Sequence, residues 1–262
     1  MEDVKRNRLK EEEILNFLAK KTDMKWNLSI FDEIDSTNTY LLKHSKPDEY
    51  SICLAEGQSK GRGRYQKKWQ SPKYKNIYMS LGFSTEKMIK DFSSFSLVSA
   101  LAVSDSLKNQ NVKTEIKWPN DIFCNSKKIG GILVETTNKN KKNIIVVGIG
   151  LNVFMVNNSN IDREWSSLFL EYKDKNFDRN KIISEILINL IHSKEIFEKK
   201  GFSFYLKKFN SLNFLKEKRI YLDNDKKIGI AKLINADGSL NVEYEDEEKK
   251  INSGEVSIKI QN

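Results

Sequence analysis

The sequence predicts an α+β protein, a larger α+β domain followed by a small β-barrel-like module, on three observations. First, two segments carry apolar stripes at helical spacing: Phe95, Val98, Leu101, Ala102 and Leu107 in 93–109, and Ile183, Ile186, Leu187, Leu190 and Ile191 in 179–201. Second, short apolar or alternating runs surround them, as strands do. Third, the period changes from helical to alternating beyond about Asn213, and an Asp237-Gly238 hairpin signal separates two of the alternating runs.

In chain order, KEEEILNFLAK (10–20) gathers Ile14, Leu15, Phe17 and Leu18 on one side of a short helix with acids in its first turn. NLSIFDEIDSTN (27–38) predicts a strand and a turn, with Ser36, Thr37 or Asn38 placed to cap the helix TNTYLLKHS (37–45). SICLAE (51–56) and NIYMSLGFS (76–84) are strands flanking a basic loop, and KTEIKWP (113–119), DIFCN (121–125) and IGGILVETT (129–137) follow the 93–109 helix as further strands. NIIVVGIGLNV (143–153) is a continuous apolar run, as a central buried strand requires. Gly201 is the predicted stop of the 179–201 helix. The module from 213 to 262 is built from KRIYLD, KIGIAKLIN, SLNVEYED and VSIKI.

Composition narrows the chemistry. Two widely separated cysteines, Cys53 and Cys124, make neither a disulfide framework nor a zinc motif, and both sit in apolar runs. With two histidines, His44 and His192, nucleophilic Ser–His or Cys–His chemistry is poorly supported, so lysine and arginine must do any electrostatic work. No run reaches the roughly 18 apolar residues that span a bilayer, and the N-terminus lacks a secretory core, so a cytoplasmic protein is expected. The net charge of +9 is scattered beside asparagines, a solvated surface more than a nucleic-acid stripe.

Four segments concentrate glycine and cationic residues. GRGRYQKKW (61–69) fits neither a dinucleotide fingerprint, since Gln66 stands where a glycine is needed, nor a P-loop, since no Gly-Lys pair occurs. In an extended loop Arg62 and Arg64 point the same way and can converge on one anion. KWPND (117–121) puts Lys117 at a proline-stiffened bend beside an indole, where a point charge entering a partly dry cavity acts strongly. KKIGGILVE (127–135) and VVGIGLNV (146–153) offer bare backbone at Gly130, Gly131, Gly148 and Gly150, suited to a flat ligand or to a neighbouring strand.

Taken in this order, with DSTN (35–38), AEGQSKGRGR (55–64), W-x-SP (69–72), W-SSL (165–168) and GEVSIK (254–259), these segments resemble the biotin protein ligase family from about residue 29 to the C-terminus. The resemblance implies a mixed β-sheet catalytic domain at 29–212, related to class II aminoacyl-tRNA synthetases. A short helical extension at 1–28 precedes it, and an SH3-like β-barrel follows at 213–262. It implies that biotin and ATP give biotinyl-AMP, and that biotin then passes to a lysine of a biotin carboxyl carrier domain. ATP would bring its own magnesium, with no protein metal site. Both steps build negative charge on phosphate oxygens, which preorganised cations stabilise.

The residue roles it implies are these. Ser36, Thr37, Asn38 and Gln58 contact the biotin ring. Arg62, Gly63 and Arg64 form the loop closing over biotin and phosphate, a loop expected to be mobile without ligand. Lys117 holds the carboxylate against the α-phosphate, so Lys117 and Arg64 are the catalytic pair. Backbone at Gly130 and Ile132 lines the biotin slot, and Lys67, Asn152 and Trp165 serve ATP, Trp165 by stacking. Family members often continue the loop as GRGR-x-GR. Here it runs Tyr65-Gln66-Lys67, so a lysine replaces a bidentate arginine. About 28 residues precede the pattern, too few for the winged helix-turn-helix of repressor relatives, so no DNA partner is expected. A homodimer is compatible with the family. The alternatives are a lipoate ligase, or a non-catalytic regulator binding biotin or DNA.

Overall fold

In the computed structural model, which describes residues 8–22, 24–88, 92–157, 164–223, 226–253 and 258–260, seven strands share one sheet. They are β1 (Trp26–Phe31), β2 (Tyr50–Ala55), β3 (Ile77–Thr85), β4 (Glu115–Lys117), β5 (Asp121–Cys124), β6 (Lys127–Lys139) and β7 (Lys142–Leu151). Their order is β1-β2-β3-β7-β6-β5-β4, with β1 and β2 parallel and every other pair antiparallel, so the sheet is mixed. The apolar run at 143–153 is central, paired along its length with β3 and β6.

Alternation along β7 assigns the two faces of the sheet. Ile145 and Val147 join the main core with α3 (Phe95–Asn109) and α5 (Arg179–Lys200), which pack on each other. Ile144 and Val146 point the other way, into a small cluster with Cys53 and Leu41 of α2 (Thr37–His44). Gly148 and Gly150 share that second face by the same parity. Ser36 caps α2, its hydroxyl accepting from Thr39 N, and Asp178 caps α5 by accepting from Asn180 N and Lys181 N. Gly201, at φ +67°, ends α5. Burial pushes the Cys53 thiol up to about 12 and raises Cys124 as well, so both cysteines behave as small core hydrophobes. Among the remaining helices, α1 (Glu11–Ala19) follows the 10–20 stripe and buries Ile14 and Leu18. Two short ones, α4 (Leu168–Glu171) and α6 (Leu206–Ser211), have no sequence signal of their own.

A separate antiparallel sheet follows: β8 (Arg219–Leu222), β9 (Lys227–Ile234), β10 (Leu240–Glu243), β11 (Glu248–Ile251) and β12 (Ile258–Ile260), in the order β11-β10-β9-β8-β12. β11 is not among the strands the sequence predicts, because its charged run Glu248, Lys249 and Lys250 leaves no apolar pattern. Of GEVSIK, residues 254–257 lie outside the described residues, as do residues 1–7 of the N-terminal extension. The chain enters this sheet through the open edge of the first one. Ile116 N donates to Leu212 O at 2.8 Å, Phe214 N donates to Ile116 O at 3.0 Å, and Phe214 stacks on Phe123 with centroids 4.6 Å apart. The Asp237-Gly238 hairpin docks on the same region: the fully buried Trp118 donates its indole N–H to Gly238 O at 2.9 Å.

Under the ends of β2 and β3 lies a buried ion pair, Arg179 Nη1 to Glu56 Oε2 at 2.8 Å. Leu9 N donates to the other Glu56 oxygen at 2.7 Å, and Arg179 also donates to Asn76 O at 2.9 Å. The pair thus ties the N-terminal segment and α5 to the strand that leads into the basic loop. Removing one member leaves an uncompensated buried charge, a cost of about 3–5 kcal/mol. Arg179→Leu is therefore expected to lower the urea midpoint sharply, and adding Glu56→Gln to recover part of the loss.

Candidate functional site

The functional candidates meet on the α2 face of the sheet, around a cavity of about 720 Å³. Its floor depends on two absent side chains. A Cβ at Gly148 would lie 2.2 Å from Asn38 Oδ1, and a Cβ at Gly150 would lie 2.4 Å from the Trp69 ring. Such approaches are closer than any real Cβ tolerates, so glycine at these alternate positions seats Asn38 and Trp69 directly on the backbone of β7.

One end of the cavity is built from amides and hydroxyls. Gln58 Oε1 accepts from Thr37 N at 2.9 Å, while its Nε2 donates to Ser71 Oγ at 3.1 Å. Asn38 Nδ2 donates to Leu133 O at 3.2 Å and to Glu135 Oε2 at 2.9 Å, and its Oδ1 accepts from Ser80 Oγ at 2.6 Å. Counting donors and acceptors shows what these groups can still offer a ligand. Asn38 has spent both N–H groups and can only accept, whereas Gln58 keeps one N–H to donate. Ser36, whose oxygen already accepts from Thr39 N at 3.4 Å, keeps its hydroxyl hydrogen.

The other end is cationic. Gly61–Trp69 forms a tight hairpin-like loop: Trp69 N donates to Gly61 O at 2.9 Å, Gly63 N to Lys67 O at 2.7 Å, and Arg64–Gln66 makes one 3₁₀ turn. Tyr65 and Gln66 take φ of +54° and +57°, left-handed values that cost roughly 1–2 kcal/mol each outside glycine. Arg62 and Arg64 do not converge as an extended loop would have them do. Arg62 turns to Glu135 Oε2 at 3.0 Å and Thr39 Oγ1 at 3.1 Å, while Arg64 turns to the Tyr65 hydroxyl at 3.0 Å and to the Ser253 carbonyl. The 3₁₀ turn breaks the alternation on which convergence rested.

Lys117, at the end of β4, faces the same cavity and donates to Ile258 O of β12 at 3.4 Å. The Trp118–Pro119 peptide beside it is cis. Lys128 lies over the Trp69 ring, Nζ 5.4 Å from its centroid, and is ion-paired with Asp121. Asn152 is buried and holds the 166–168 segment, donating to Ser166 O at 3.0 Å, while Trp165 stands at the cavity wall.

Of the residues singled out in the sequence, Ser36, Asn38, Gln58, Arg62, Gly63, Arg64, Lys67, Lys117, Ile132, Asn152 and Trp165 line this one cavity. Thr37 and Gly130 do not. Thr37 is buried beneath it, bonded to Gln58, and a Cβ on Gly130 would sit against Gly150 O instead. Ile132 offers a side chain, not backbone, because its N–H and C=O are both held by Asn120, at 2.9 and 2.8 Å. Sequence reasoning missed Trp69, Asp121, Lys128, Glu135 and the β12 segment carrying Lys259. The available signal was charge next to a buried run: Lys128 and Glu135 flank the apolar stretch from Ile129 to Val134 of β6. Among the described residues, no cluster of three His, Cys, Asp or Glu side chains is suited to a metal ion.

The chain is similar to several known proteins. Residues 30–152 match the model of the biotin/lipoate A/B protein ligase family. The chain is 33% identical over 240 residues to the bifunctional ligase/repressor BirA of Escherichia coli, covering 89% of this chain and 74% of that protein. It is 30% identical to the biotin–[acetyl-CoA-carboxylase] ligase of Mycobacterium tuberculosis, over 62% of each chain. The biotin protein ligase of Aquifex aeolicus, solved with biotin and ATP, superposes with a TM-score of 0.77 at 27% identity, over 90% of this chain and 99% of that one.

The Trp69 seat is open to test. Gly150→Ala must expel the indole, and overpacking of this kind costs about 1–3 kcal/mol, a fall of roughly 2–10 °C in Tm for a chain of this size. In a Trp69→Ala background the same substitution should be nearly silent.

Proposed function

The chain belongs to the biotin protein ligase family, and we propose that this cavity joins biotin to AMP and then passes biotin to a lysine of a biotin carboxyl carrier domain. One observation carries the reading. Arg64 and Lys117, from segments far apart in sequence, line a single cavity whose opposite end offers the mixed donors and acceptors a cyclic urea needs. Ser36 and Gln58 are the donors for a ureido oxygen, and Asn38 is the acceptor for a ureido N–H. A lipoyl ring has neither group and would leave these partners unmatched, so lipoate is the disfavoured alternative.

In the first step a biotin carboxylate oxygen bonds to the α-phosphorus of ATP as the bond from that phosphorus to the bridging oxygen breaks, releasing pyrophosphate. Lys117 neutralises the repulsion between carboxylate and phosphate and stabilises the charge growing on the α-phosphate oxygens. Lys67 and Lys128 add positive potential where the triphosphate lies, and Trp165 offers a face for adenine. Magnesium enters as part of the nucleotide substrate; Asp121, the one acid among the described residues of the cavity wall, is engaged by Lys128. In the second step the neutral amine of the carrier lysine bonds to the acyl carbon, AMP leaves and the amine loses its proton. Arg64 retains the adenylate until that attack, because a guanidinium holds phosphate by paired hydrogen bonds.

The five-stranded C-terminal sheet supports an SH3-like cap over the nucleotide side as a second domain at 213–262; the first sheet begins at Trp26, ahead of the limit of 29 expected for the catalytic domain. No helix among the described residues is long and apolar enough to cross a membrane, and we assign the activity to the cytoplasm.

Transfer of labelled biotin to a carrier domain, dependent on ATP and magnesium, is the direct test. Lys117→Ala should slow adenylate formation by roughly a hundredfold to a thousandfold while the protein stays folded. Arg64→Ala should instead form adenylate and lose it, labelling bystander lysines detectable by mass spectrometry. An Arg64→Ala enzyme that keeps its adenylate as long as the parent would remove the retention role.

A further inference from the structure

We infer that Glu135 is a positioning residue for biotin, one that fixes the polarity of Asn38 and withdraws Arg62 from phosphate binding. The inference rests on the ligase reading above and concerns a residue in none of the roles given there. Glu135 sits on β6, its side chain about a quarter exposed, outside the cavity wall. A single carboxylate oxygen, Oε2, accepts both from Arg62 Nη2 at 3.0 Å and from Asn38 Nδ2 at 2.9 Å. It therefore joins the two segments that enclose the amide end of the cavity, the start of α2 and the glycine-arginine loop.

The first consequence concerns Asn38. An isolated amide can turn over and present either its oxygen or its nitrogen. Here the carboxylate accepts only, so the nitrogen must face Glu135, and Leu133 O takes the second hydrogen. The oxygen, bonded by Ser80, is left as the sole group with capacity for a ligand. Asn38 is thereby committed as an acceptor, which favours a ligand that carries an N–H.

The second consequence concerns charge. Arg62 is compensated on the spot by Glu135 and anchors the loop to the sheet, so Arg64 is the arginine that the loop brings toward the phosphate side. Loss of the carboxylate would free Arg62 and unlatch the loop at the biotin end. The nucleotide end, held through Lys117 and Lys128, does not touch Glu135.

This predicts a split between substrates. Glu135→Gln keeps size and one acceptor oxygen but removes the charge and allows the Asn38 amide to invert. It should raise the KM for biotin roughly tenfold to a hundredfold, the range for losing charged hydrogen bonds, and leave the KM for ATP and the Tm within about twofold and a few degrees of the parent. Glu135→Asp, which keeps the charge, should recover part of the biotin affinity and serves also if the glutamine variant folds poorly. Calorimetric titration of each variant with biotin alone separates binding from turnover. Equal changes in both KM values, or a fall in Tm with biotin affinity intact, would show that Glu135 merely stabilises the sheet. A parent protein that makes no biotinyl-AMP would overturn the ligase reading itself, and that result is distinct from an active parent whose Glu135→Gln variant binds biotin normally.

Discussion

The cavity exists because β7 gives up two side chains on one face. Gly148 and Gly150 lie two residues apart, so both missing methyl positions open on the side covered by α2, and each is filled by a residue from a different segment. Asn38 arrives from the start of the helix and Trp69 from the end of the basic loop. Neither seat works without the other elements. Asn38 stands where it does because Ser36 caps α2, and Trp69 because its backbone closes the loop on Gly61. β7 is held centrally by β3 and β6, so the floor of the site is also the most constrained part of the sheet. A backbone exposed for function here costs little stability, since packed side chains replace the lost Cβ atoms.

Much of this was legible in the sequence, and the legible part follows a physical rule. Elements with strong period were readable: the 93–109 and 179–201 helices, the central run at 143–153, and the hairpin at Asp237-Gly238, where Gly238 takes φ +88°. Alternating glycines announced that something would approach the strand. They could not say what, and it proved to be the protein's own Asn38 and Trp69. The directions of Arg62 and Arg64 were not legible, because direction is set by a 3₁₀ turn in which Tyr65 and Gln66 adopt left-handed backbone that their residue types do not advertise. The β12 segment was harder to read as part of the site for another reason: beside Lys259 it contributes the Ile258 carbonyl, and a backbone group carries no residue signature.

That carbonyl belongs to a cavity rich in cations. Arg64, Lys67, Lys117, Lys128 and Lys259 all line it, and like charges at such separations repel strongly where water is partly excluded. Among them Lys128 has a full counter-charge in Asp121 and Lys259 one in Asp223, and Arg62, which also lines the cavity, has one in Glu135. Arg64 and Lys117 also donate to backbone, to the carbonyl oxygens of Ser253 and Ile258. A phosphate oxygen carries far more negative charge than a carbonyl and displaces it readily. A frame that holds several cations around one cavity suits a protein with two histidines to successive adenylyl and acyl transfers, because preorganised positive charge stabilises the anionic transition states of both.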